Sequence, residues 1–232
     1  MLQLRPRHTL DGADRGWLKA RHHFIVSHNG NAANHSLGAL IVWNDDEIAP
    51  GRGFGLHPHS DMEIITYVRE GAVTHEDSVG NLGRTEAGDV QVMSAGTGIM
   101  HAERNDGDEP LKLFQIWLRP RRTGGAPRWG TKRFPKRERA GRLVTLASGI
   151  VGDGEALSIG ADARVLAATL LSGQVVKYRL HPSRNAYLAP SQGAVTVNGQ
   201  RVVAGDGIAA IAENNLTIEA TEDAEFILVD AA

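Results

Sequence analysis

Two stretches decide how this chain reads: Gly51-Arg52-Gly53-Phe54-Gly55-Leu56-His57-Pro58-His59-Ser60-Asp61-Met62-Glu63 and, further along, Met93-Ser94-Ala95-Gly96-Thr97-Gly98-Ile99-Met100-His101-Ala102-Glu103. Each carries two donor side chains at i and i+2. Successive side chains of an extended chain alternate between faces, so His57 and His59 point one way, and so do His101 and Glu103. Two such segments facing each other bring three imidazoles and one carboxylate to a common point. That donor set suits one divalent transition metal, with iron(II) taken first and nickel, manganese, cobalt, copper or zinc as alternatives, better than it suits calcium or magnesium.

The surroundings are β in character. Short alternating runs punctuated by glycine, asparagine and aspartate predict strands at 37–43, 62–69, 72–77, 89–94 and 111–119. A second series is predicted at 164–170, 175–180, 186–189, 194–197, 201–203, 216–220 and 225–229. Gly71-Ala72-Val73-Thr74 recurs as Gly193-Ala194-Val195-Thr196, and Ala87-Gly88-Asp89 recurs as Ala204-Gly205-Asp206, in the same order. A duplicated β unit explains that pairing. The chain therefore divides into an N-terminal barrel over 1–120 with the metal site, a linker over 121–142, and a C-terminal barrel over 143–232.

Between Arg119 and Arg142 stand ten Lys or Arg residues against one acid, Glu138, with Pro120, Pro127 and Pro135 among them. The run is read as a solvated crossover, because no docking element for nucleic acid accompanies it. The whole chain has a formal charge of −2, so nothing global draws it to nucleic acid or to an anionic membrane. There is no cysteine, which excludes disulfides, thiolate metal sites and Cys nucleophiles. No apolar run is long enough to span a bilayer and the start lacks a signal-peptide core, so a cytoplasmic protein is expected. In the second series only His181, in His181-Pro182-Ser183, precedes Gly193, and Ile218 stands where His101 would map by counting from Asp206. That barrel is expected to hold no metal, with His181 structural.

Gly51, five residues, His57-x-His59, three residues and Glu63 resemble the first cupin motif, and Gly88, Gly96, His101 and Asn105 resemble the second. Ser94 stands where that motif has proline, two extra residues precede His101, and one precedes Gly71. These departures, together with Asp77-Ser78-x-Gly80-Asn81 and Gln115-Ile116-Trp117, resemble the pirin family over nearly all of the first 120 residues and more faintly to the end. The resemblance implies an all-β fold of two jelly-roll cupin barrels in one chain, a metal in the first barrel, and the quercetin 2,3-dioxygenase activity of some members. A flavonol-like aromatic substrate and O2 would be its partners.

Two carboxylates compete for the fourth ligand position. On a straight strand Glu63 would lie about 13 Å beyond His59 at roughly 3.3 Å per residue, whereas Glu103 is next but one to His101. The pirin-like pattern also places the carboxylate at Glu103, which then serves as ligand and as the base taking the substrate's hydroxyl proton. Glu63 is left with a supporting place, at the strand end or on the surface. Phe54, Met100 and Trp117 are read first as core and secondly as cavity lining, and His75, beside Glu76 and Asp77, as a surface histidine. His22, His23, His28 and His35 contain no strand-spaced pair that completes a site. Two alternatives to flavonol cleavage share the same residues: a metal-dependent regulatory protein acting through a protein partner, and sugar isomerase or lyase chemistry.

Overall fold

A computed structural model of the chain describes residues 1–26 and 31–232; His28 lies outside them. In chain order the first strands are β1 (Leu2–Arg5), β2 (Asp11–Asp14), β3 (Leu18–His22), β4 (Leu40–Ile48), β5 (Gly53–His59), β6 (Glu63–Glu70), β7 (Ala72–Asp77), β8 (Leu82–Glu86), β9 (Val90–Ser94), β10 (Ile99–Arg104), β11 (Leu111–Leu118) and β12 (Arg128–Lys132). The remainder are β13 (Val144–Ser148), β14 (Leu157–Ser158), β15 (Ala163–Leu170), β16 (Val175–Arg179), β17 (Asn185–Gln192), β18 (Ala194–Val197), β19 (Gln200–Val203), β20 (Gly207–Ala210), β21 (Asn215–Ala220) and β22 (Ala224–Ala231). Two short 3₁₀ turns are the only helical elements among the described residues.

Each half pairs a seven-stranded sheet with a four-stranded one. The first half uses β12-β9-β6-β11-β4-β3-β2 and β5-β10-β7-β8; the second uses β1-β20-β17-β22-β15-β13-β14 and β16-β21-β18-β19. The duplication seen in the sequence is a duplication of turns. Gly71 and Gly193 have φ of 75° and 69°, in the left-handed region that glycine enters without cost. Their carbonyls accept hydrogen bonds from Ala87 and Ala204 at 3.0 and 2.9 Å. The four-stranded sheets then correspond strand for strand, β5 to β16, β10 to β21, β7 to β18 and β8 to β19.

The halves exchange elements across the division at 120 and 143. β1 pairs with β20 in the second half's sheet, and β12, inside the basic stretch, is an edge strand on β9 of the first. The largest apolar cluster lies between the seven-stranded sheets, where Trp43, Ile65, Tyr67 and Phe114 meet Val165, Tyr187, Ile227 and Val229. Fully buried side chains of this kind contribute roughly 1.5–3 kcal/mol each, so the barrels are fused along a core. The cations of the basic stretch tie the same seam. Arg121 pairs with Asp162 at 3.0 Å, Lys132 with Glu155 at 3.3 Å and Lys136 with Glu225 at 2.9 Å. Arg139 is buried, donating to the Gly88 carbonyl at 3.2 Å and to the Tyr67 hydroxyl at 2.7 Å, with Glu225 beside it.

Candidate metal centre

The interior of the first barrel is layered, and the layering follows from strand alternation. Along β6 the inward residues are Ile64, Thr66 and Val68; along β11 they are Trp117, Gln115 and Leu113; along β9, Met93 and Gln91. One apolar cluster gathers Ile64, Met93, Ala95 and Ile99 with Trp117 and Trp129 packed on it; another gathers Leu18, Ile48, Val68, Val73, Leu111 and Leu113. Between them lies a polar belt of Thr66, Gln91, Gln115, His75, His101 and Glu103, all buried. At the matching level of the second barrel stand Leu188, Ile208, Leu216, Ile218 and Leu228, all apolar and buried; its buried carboxylate Asp230, further along the same face of β22, is bonded to Tyr178 and Arg184 and has no histidine partner among the described residues.

Strands β5 and β10 set the imidazoles opposite one another, with His101 paired to His57 and Ile99 to His59, and a bulge between His101 and Glu103. The ring centroids are 4.4 Å (57 to 101), 5.0 Å (59 to 101) and 4.9 Å (57 to 59) apart, and one ring nitrogen from each lies within 4.8 Å of the other two. The His57 Nδ1–H donates to the Gly55 carbonyl at 2.7 Å, which leaves Nε2 as a lone pair. His101 Nε2 is buried without a protein partner. Burial, then His57 and His59, pushes the His101 imidazole down to about 3; burial, then His57, pushes His59 down to about 4. Both rings are therefore neutral at physiological pH, the form that binds a metal. An orphaned buried nitrogen amid two more imidazoles fits a divalent transition ion.

Glu103 belongs to a second group, His75, His101 and Glu103, which shares His101 with the first. Its Oε1 accepts from Gln91 Nε2 at 2.6 Å and from Thr66 at 3.3 Å, and its Oε2 from Gln115 Nε2 at 2.6 Å. Burial raises its carboxyl to about 7 against the opposing pull of those donors. The caged oxygens retain lone pairs that a metal could use.

The remaining expectations sort as follows. His75 is not a surface histidine but fully buried, because β7 alternation turns 75 and 77 inward and Thr74 and Glu76 outward. Its Nε2–H donates to Asp77 at 3.0 Å. Glu63 is also buried, at the first position of β6, accepting from Ser94 Oγ at 2.6 Å. Trp117 does stand at the site, 4.9 Å from His59 and donating to Gln115. Met100 lines an open cleft of about 430 Å³ with Pro58, His59, Ser60, Ser78 and Ile99. Phe54 packs edge-on to Trp17 with the core. His23 is buried in the seam with its Nδ1 against the Tyr187 hydroxyl at 2.8 Å.

Asp46, which sequence reasoning missed with Thr66 and Gln91, is buried with Oδ1 unpartnered; Gln115 and Asp77 stood in the family pattern but were given no place at the site. Burial, then Asp45 and Glu103, raises it to about 7. In the second barrel His181 is exposed and bonded to Ser183. Register refines the map there: Thr74 pairs with Arg104 and Thr196 with Glu219, so Leu216, not Ile218, is the counterpart of His101, displaced by the two extra residues ahead of that histidine. Both are buried.

Fold and site define a bicupin with a candidate His/Glu metal centre in one barrel. The Pirin family model matches residues 3–118, and a model described as the quercetinase C-terminal cupin domain matches 145–231; the chain belongs to the pirin family. It is 57% identical over 232 residues, all of both chains, to a pirin-like protein of Caulobacter vibrioides. It is 38% identical to the quercetin 2,3-dioxygenase of Escherichia coli, covering 99% of this chain and 98% of that one. The crystal structure of the E. coli pirin YhhW in complex with nickel(II) superposes with a TM-score of 0.92 at 37% identity, over 100% of this chain and 99% of that one. No helix among the described residues is long and apolar enough to cross a membrane.

Proposed function

We propose that this chain is a metal-dependent dioxygenase that opens a flavonol such as quercetin with O2, its metal held by His57, His59, His101 and Glu103. The observation that carries the reading is the convergence of three imidazoles, one with a buried orphan nitrogen, beside a polar layer whose counterpart in the second barrel is apolar. The E. coli relative named quercetin 2,3-dioxygenase supports the substrate class. The nickel complex of YhhW supports a transition metal, with iron(II) the first candidate and nickel the second.

When bound, such an ion supplies a Lewis acid and an electron-exchanging centre beside the substrate. The chain's own groups do the rest. Glu103, whose caged oxygens keep lone pairs free, would receive the proton of the flavonol hydroxyl as general base. Gln91, Gln115 and Thr66 hold that carboxylate in one orientation. Trp117 offers a flat apolar wall beside His59, and the layer of Ile64, Met93 and Ile99 keeps water from the belt. The cleft beside His59 is within the size range of sites for drug-sized ligands.

Metal content of the isolated protein and oxygen uptake with quercetin after loading with iron, nickel or manganese test the proposal. Retained ion with uptake, both lost in His101→Ala and Glu103→Ala and both kept in Glu63→Ala, is expected. No uptake with any metal would overturn the activity; metal loss confined to Glu63→Ala would overturn the ligand assignment.

A further inference from the structure

We infer that His75 and Asp77 form a positioning arm that sets the tautomer of His101, so that its Nε2 lone pair faces His57 and His59. The inference rests on the reading of those three imidazoles as metal ligands and extends it to residues behind them.

The argument is one of hydrogen-bond accounting. Asp77 Oδ1 accepts from the backbone N–H groups of Val79 and Asn81, each at 3.0 Å, and Oδ2 accepts from Asn81 Nδ2 at 2.9 Å. The carboxylate is thus an anchored acceptor with nothing to donate. The remaining contact on Oδ2, His75 Nε2 at 3.0 Å, must carry the proton on the histidine. A neutral imidazole with Nε2–H has a bare Nδ1, which can only accept. That Nδ1 faces His101 Nδ1 at 3.5 Å, with both rings buried. His101 must then donate from Nδ1, and its unprotonated Nε2 is the atom that lies buried without a protein partner. Each step leaves one assignment for the next, from the Asp77–Asn81 turn to the candidate centre. Ligating histidines commonly hand their second nitrogen to such a partner, which fixes the ring and raises its basicity.

The arm is also braced from outside the four-stranded sheet. His75 stacks on Trp129 of β12 with centroids 4.9 Å apart and planes 7° apart. The indole reaches that place because Gly83, paired with His75 across β7 and β8, has no side chain: a Cβ there would lie 2.2 Å from the indole rim. The basic stretch between the barrels therefore delivers the ring that holds the arm flat.

His75→Phe keeps a ring for Trp129 and removes both nitrogens; His75→Asn restores an acceptor near the former Nδ1; Asp77→Asn weakens the anchor. Long-range proton–nitrogen spectra of the metal-free protein distinguish Nδ1–H from Nε2–H on His101. Nickel titration calorimetry gives affinity and stoichiometry. Expected are a single Nδ1–H tautomer in the unaltered protein, mixed tautomers in His75→Phe with about 10- to 100-fold weaker nickel binding, partial recovery in His75→Asn, and a smaller loss in Asp77→Asn. Should His75→Phe fail to fold, the other two variants carry the test. Nε2–H on His101 in the unaltered protein, unchanged affinity in the variants, or two nickel ions per chain would each overturn the inference. Failure of the unaltered protein to bind nickel would instead remove the metal reading, while the tautomer spectra still decide the arm.

Discussion

His23 provides a stability measurement with a definite sign. It sits in the seam between barrels, fully buried, with Nδ1 against the Tyr187 hydroxyl at 2.8 Å and Nε2 unpartnered. Burial, then the nearby Arg5, Arg69 and Arg7, lowers its imidazole from 6.5 to about 3. Above pH 6.5 the ring is neutral folded or unfolded, and it adds no pH dependence to stability. Below 6.5 the unfolded chain takes up a proton that the folded chain refuses until about pH 3, so stability falls as the pH falls through that window. From pH 7 to pH 5 the loss attributable to this one group is about 2 kcal/mol, since each unit inside the window is worth roughly 1.4 kcal/mol. His23→Asn keeps an acceptor near Nδ1 and does not titrate. Urea unfolding of metal-free protein, followed by tryptophan fluorescence at both pH values, should therefore show the variant losing about 2 kcal/mol less than the unaltered chain on acidification. His59 and His101, also depressed, are common to both proteins and cancel. Equal pH decrements in the two would show that His23 titrates alike folded and unfolded, and the seam would not be dry.

Removing Arg139, which is buried against Tyr67 and Glu225, leaves that carboxylate with Lys136 alone among cations, and Arg139→Ala should cost about 3–5 kcal/mol in urea unfolding; a loss under about 1 kcal/mol would show the pair to be dispensable. Gly83→Val drives a side chain into the Trp129 indole, so the near-ultraviolet circular dichroism should change and stability should fall by roughly 1–3 kcal/mol; an unchanged spectrum would count against the packing described. Deleting residues 1–5 strips β1 from β20 and uncovers a strand edge, so the melting temperature should drop and concentration-dependent association should appear in sedimentation; a monomer of unchanged melting temperature would contradict the pairing.

How much of this was legible in the sequence depends on the reach of each signal. The candidate donor pairs were readable because a period of two is local: His57-x-His59 and His101-x-Glu103 announce a shared face wherever they fall. The same spacing was present in His75-x-Asp77 and passed unread, because the charged neighbour Glu76 made the segment look solvated. In fact Glu76 is the outward residue of β7, and its exposure is what the inward burial of 75 and 77 requires. The cage around Glu103 had a quieter mark. Ile64-x-Thr66-x-Val68 and Leu113-x-Gln115-x-Trp117 each set one polar residue between apolar ones on an inward face, a pattern that is costly in a sealed barrel unless something polar meets it.

What no local pattern could supply is pairing across long separations: β1 on β20, or Arg139 reaching Tyr67 and Glu225. Those contacts depend on where the second barrel sits, and the basic stretch, read as a solvated crossover, turns out to carry the cations that place it. The two barrels share turns, strand order and register, yet Leu216 and Ile218 fill the places of His101 and Glu103. A polar belt needs every member partnered, whereas apolar side chains need only fit. The contrast between corresponding layers, polar in the first barrel and apolar in the second, is what supports placing the proposed metal in the first half.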